Sequence, residues 1–92
     1  MMYEIKYTSA AEEDIEKLKK TGDKRLLKKL SILLKELMEH PSKGVGKPEL
    51  LKGSLSGCYS RGISQKHRLV YQIFDKNVVV LILSAASHYG DK

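Results

Sequence analysis

Ninety-two residues, 41% of them apolar and 30% charged, with two prolines and no low-complexity tract, describe one folded domain over 1–92 and exclude a disordered chain. No apolar run approaches the ~20 residues that cross a bilayer, and the opening MMYEIKY lacks the basic-then-apolar order of a secretory leader, so a cytoplasmic location without membrane contact is expected. The net charge of +6 is concentrated: residues 43–71 hold six basic side chains against one acid, Glu49, an imbalance that favours polyanionic partners such as nucleic acid.

In chain order, YEIKY alternates over Tyr3, Ile5 and Tyr7 and predicts a short strand. TSAAEEDIEKLKK predicts a helix with a Ser9–Glu12 capping box, an apolar face of Ala11, Ile15 and Leu18, and an end near Gly22. Asp23 can cap a second helix, in which Leu26, Leu30, Leu33 and Leu37 form the stripe and Pro41 bounds the end. Lys24, Arg25, Lys28, Lys29 and Lys35 lie mainly off that stripe and read as a solvated face.

PSKGVGKPELLKGSLSG then predicts a long loop with a short extended piece at Leu50 and Leu51. CYSRGI, RLVYQIF and VVVLILSAASH predict three strands joined by hairpin-length turns. The order β-α-α-β-β-β makes this an α+β fold: about four mainly antiparallel strands with both helices on one face, the last strand central because it is apolar on both sides.

The chemistry lies in the second half. Glu49 in the loop, Arg68 at a strand start and His88 after the last strand are the parts needed to cleave RNA without a metal. A base takes the ribose 2′-hydroxyl proton, a cation stabilises the charge on phosphorus, and an acid protonates the departing 5′-oxygen. The same residues also allow other readings: a solvated Glu49, an Arg68 paired with Asp75, a surface His88, and a Tyr89 that completes the core. Cys58 reads as strand packing. His40, His67 and His88 have no close ligand spacing, one cysteine cannot build a cysteine zinc site, and GVGKPE departs from the phosphate-loop spacing, so no metal and no cofactor is expected.

The stretches GKPELLKGSLSGCYSRGISQKHRLVYQI and SHYGD resemble the YoeB/Txe toxins, a branch of the RelE superfamily of bacterial type II toxin-antitoxin systems. The similarity covers essentially the whole chain through four ordered motifs: GKPE-x-L-K, L-S-G-x-[YW]-S-R, H-R-L-V-Y and H-Y. The resemblance implies a RelE-like fold and a ribosome-dependent endoribonuclease that enters the ribosomal A site, cuts the exposed mRNA codon and stops translation. It implies Glu49 as general base, Arg68 as phosphate stabiliser, His88 as general acid and Tyr89 as a residue holding the substrate.

The resemblance also implies a cognate antitoxin whose C-terminal segment wraps the toxin; self-association into a homodimer is left open. One position departs from the pattern. Gly62 stands where a second basic residue is expected, leaving Lys47, Lys52 and Arg61 to carry the remaining RNA contacts. Two alternatives stand beside the nuclease: a ParE-like toxin that binds DNA gyrase without cutting RNA, and a basic RNA-binding domain without catalysis.

Overall fold

The computed structural model describes residues 2–41, 49–51, 53 and 57–85. Its elements run β1 (Glu4–Tyr7), α1 (Ser9–Lys20), α2 (Lys24–Glu39), β2 (Glu49–Leu50), β3 (Cys58–Gly62), β4 (Arg68–Phe74) and β5 (Val79–Ser84). The helices start where side chains can satisfy their free N–H groups. Thr8 caps α1 by accepting from the Ala11 amide at 3.0 Å, and Asp23 caps α2 by accepting from Arg25 and Leu26. The cap of α1 thus falls on Thr8 instead of the expected Ser9, because the Thr8 hydroxyl also donates to the Leu83 carbonyl at 2.9 Å and ties the helix start to the sheet.

Among the described residues the strands form a five-stranded sheet in the order β1-β5-β4-β3-β2. That is one strand more than expected, since the two-residue β2 pairs with β3. The β2-β3, β3-β4 and β4-β5 pairs are antiparallel, whereas β1 lies parallel to β5 with Ile5 opposite Val80. The last strand is therefore internal, flanked by β1 and β4, as its apolar composition requires.

The two faces of the sheet have different jobs. Leu26, Leu30, Leu33 and Leu37 of α2 and Ala11 and Leu18 of α1 pack with Leu69, Tyr71, Val80 and Ile82 into the main core. Strand alternation sends the intervening residues to the other face, where Leu51, Cys58 and Val70 form a smaller cluster flanked by Leu83. Val70 stands opposite Ser84 and Tyr71 opposite Ile82, so Leu83 is an extra residue that bulges β5. Beyond it, the Ala85 amide donates to the Asp14 carboxylate at 3.0 Å. Thr8 and Asp14 together hold the end of β5, from which the chain continues toward His88.

Candidate active site

Glu49, Ser60 and Arg68 meet on the sheet face turned away from the helices. Register puts them there: Glu49 pairs with Ser60 across β2-β3, and Gly62 pairs with Arg68 across β3-β4. Although β2 is only two residues long, its position is set by the residue after it. Leu51 is buried beside Cys58 and Val70, and its amide donates to the Cys58 carbonyl at 2.8 Å. Leu51 thus anchors this side of the loop while Glu49, two residues earlier, stays 64% exposed.

The Arg68 guanidinium is held on one edge. Its Nε donates to the Ser60 hydroxyl at 2.6 Å, and its Nη2 donates to Glu49 Oε1 at 3.4 Å. Among the described residues Nη1 has no hydrogen-bond partner. A guanidinium with one edge fixed and the other open can still offer forked donors to a phosphate. The alternative pairing of Arg68 with Asp75 does not occur. Asp75 instead accepts from the Tyr3 hydroxyl at 2.7 Å, and this bond raises the Tyr3 pKa above 10.0.

Arg61 departs from the expected role in RNA contact. Its side chain is fully buried on the helix-facing side of the sheet, where it pairs with Glu36 at 3.0 Å. Its Nε donates to the Tyr71 hydroxyl at 3.0 Å and its Nη2 to the His40 carbonyl at 2.7 Å; the Tyr71 hydroxyl in turn donates to the Pro41 carbonyl at 2.8 Å. A cation among the carbonyls at the end of α2 satisfies acceptors that the helix leaves open and matches the negative end of its dipole. Burial raises the Tyr71 pKa, with the Arg61 bond working in the opposite direction. In this conformation no phosphate can reach Arg61; its work is to fasten the end of α2 to β3 and β4.

Lys47, Lys52, His88 and Tyr89 lie outside the described residues. Of the four residues expected to carry the chemistry, the described structure therefore unites Glu49 and Arg68. Cys58 is buried and packs as expected. Among the described residues no group of three or more His, Cys, Asp or Glu side chains is arranged to hold a metal ion, and no helix is long and apolar enough to cross a membrane.

Two contributors were not singled out from sequence. Ser60 holds Arg68, and Glu36 neutralises Arg61. The available signal was alternation: Ser60 and Arg61 are neighbours in CYSRG and must point to opposite faces, so one of them enters the main core.

The chain has counterparts among known proteins. Residues 7–89 match the family model of the YoeB-like toxin of bacterial type II toxin-antitoxin systems. The toxin YoeB of Synechocystis is 49% identical over 68 residues, covering 74% of this chain and 77% of that protein. Among solved structures, the heterotetrameric YoeB-YefM toxin-antitoxin complex of Staphylococcus aureus contains a chain 38% identical with a TM-score of 0.79, covering 97% of this chain and 100% of that one. The Staphylococcus aureus YoeB dimer is 39% identical with a TM-score of 0.80 and the same coverage. With a match over most of its length, the chain belongs to the YoeB-like toxins of bacterial type II toxin-antitoxin systems.

Proposed function

We propose that this protein is an endoribonuclease that enters the ribosomal A site in the cytoplasm and cuts mRNA there by general acid-base chemistry. The observation that carries the reading is the approach of Arg68 to Glu49, 3.4 Å apart on the sheet face turned away from the helices, with Nη1 of the guanidinium unpartnered among the described residues.

In the proposed reaction, Glu49 accepts the proton of a ribose 2′-hydroxyl. The 2′-oxygen attacks the adjacent phosphorus in line, and the bond from phosphorus to the 5′-oxygen breaks. His88 gives its proton to that oxygen. The products are a 2′,3′-cyclic phosphate and a free 5′-hydroxyl. Arg68 stabilises the added negative charge on the phosphoryl oxygens in the transition state. Tyr89, beside the proton donor in sequence, holds the substrate by stacking or positioning a base. Lys47 and Lys52 supply electrostatic attraction to the RNA.

The same reading gives the protein a cognate antitoxin. The positive excess over residues 43–71 suits an acidic peptide as well as RNA, so an antitoxin segment and the message would compete for one face. The Staphylococcus aureus relatives, one bound to YefM and one a dimer, motivate tests for both an antitoxin complex and self-association.

Mapping transcript 5′ ends in cells producing the protein tests the reading. New ends within translated codons, absent with Arg68→Ala, are expected. Arrest of DNA replication with intact messages would instead support a gyrase-binding toxin, and translation arrest without new ends would support RNA binding alone.

A further inference from the structure

Ser60 is fully buried on the same face as Leu51, Cys58 and Val70, a setting in which an apolar residue would serve packing as well. A buried hydroxyl is costly unless it is hydrogen-bonded. Here its oxygen receives Arg68 Nε at 2.6 Å, the shorter of the two contacts that, among the described residues, hold the guanidinium. The other contact, to Glu49, is longer and involves a carboxylate that is 64% exposed, and such pairs constrain a side chain weakly.

Glu49 also has a second task. When its carboxylate turns to a 2′-hydroxyl, Arg68 loses that anchor. Among the described residues, Ser60 would then be the remaining contact that fixes the guanidinium plane. Its own position is fixed by the pairing of β3 with β2 on one side, opposite Glu49, and with β4 on the other, opposite Val70.

We propose that Ser60 is a positioning residue for cleavage: its hydroxyl locks the orientation of Arg68 while Glu49 leaves to act as base. The inference rests on the nuclease reading and deepens it, since it assigns to a buried serine the geometry on which phosphate stabilisation depends.

Single-turnover cleavage of ribosome-bound mRNA by the purified full chain tests it, with wild type, Ser60→Ala, Arg68→Lys and the double variant compared. A hydrogen bond to a charged group is typically worth a factor of about ten to a hundred, so Ser60→Ala should lower the maximal cleavage rate by that factor while leaving ribosome affinity and the melting temperature nearly unchanged. Lysine has no Nε–H to be held. In the Arg68→Lys background the serine change should therefore alter the rate less than twofold. A purely structural serine would lower both backgrounds alike.

Should Ser60→Ala fail to fold, Ser60→Cys keeps a similar volume with a weaker acceptor and is expected to give an intermediate rate. Folded Ser60→Ala or Ser60→Cys protein cutting at the wild-type rate would overturn the positioning role alone. Wild-type protein that cuts nothing would overturn the nuclease reading, and this inference with it.

Discussion

Arg61 and Arg68 occupy adjacent antiparallel strands one register step apart, yet send their guanidinium groups to opposite faces of the sheet: Arg61 to Glu36 and the end of α2, Arg68 to Ser60 and Glu49. Their substitutions should separate accordingly into a stability defect and an activity defect.

Arg61→Met should destabilise the fold by about 2–4 kcal/mol, because it removes the donors that the Glu36 carboxylate, the Tyr71 hydroxyl and the His40 carbonyl accept from the guanidinium. The figure lies toward the lower part of what breaking a buried pair costs, since Glu36 remains 28% exposed and can be hydrated. Urea unfolding checks it. The folded fraction should still cleave at close to the wild-type rate.

Arg68→Ala should act mainly on activity. The pair with the exposed Glu49 contributes at most about 1 kcal/mol to stability, and the buried Ser60 hydroxyl loses a donor at a cost of about 1–3 kcal/mol. Loss of phosphate stabilisation should lower the cleavage rate by roughly a hundredfold or more. Glu49→Ala should lower it by about 10²- to 10⁴-fold in the same assay, as expected of a general base. A full rate in Glu49→Ala would transfer the base role to the ribosome or solvent.

Tyr71→Phe tests the buried network through pH. Burial raises the Tyr71 pKa above 10.0, so folding favours the protonated hydroxyl. This contribution is fully present below pH 10.0, the ordinary tyrosine value, and is lost as pH rises through the higher folded-state value. Stability should therefore fall on the alkaline side of pH 10.0 in the wild type and fall less steeply in Tyr71→Phe. Below that pH the variant should be less stable by about 1–3 kcal/mol, having lost the bonds with Arg61 and the Pro41 carbonyl. Chemical denaturation across an alkaline pH series gives both readings.

Much of the architecture was legible because it is written in local patterns. The leucine spacing of α2, its Asp23 cap and the apolar last strand all required nothing beyond their own segments. The start of α1 was misplaced by one residue because Thr8 and Ser9 both carry hydroxyls, and the choice is made by Leu83, far away in the chain. β2 is too short to display a period, and the parallel pairing of β1 with β5 joins the first and last strands, which no window of sequence contains.

The site shows the same division. Glu49 and Arg68 could be named from their chemistry and from a resemblance, and the register brings them together. For Arg61 sequence and structure part, because a basic residue in a basic segment suggests solvent and RNA. Strand alternation placed it beside Tyr71, and the acid that neutralises it comes from α2, outside that segment.

Gly62, paired with Arg68 across β3-β4, is the position where a second cation is expected. Gly62→Arg should steepen the salt dependence of binding to single-stranded RNA, with the log-log slope growing by about 0.7 for each added phosphate contact. Equilibrium binding over a salt series measures it; an unchanged slope would mean that the new side chain does not reach RNA.

The proposed reaction directs a ribose 2′-hydroxyl onto its neighbouring phosphate. The most direct measurement presents the purified protein with ribosomes carrying either an all-ribose message or one whose A-site codon lacks 2′-hydroxyls. Cleavage of the first, leaving a 2′,3′-cyclic phosphate, with the second intact, is the predicted result. Cutting of the deoxy-substituted codon at a comparable rate would contradict it.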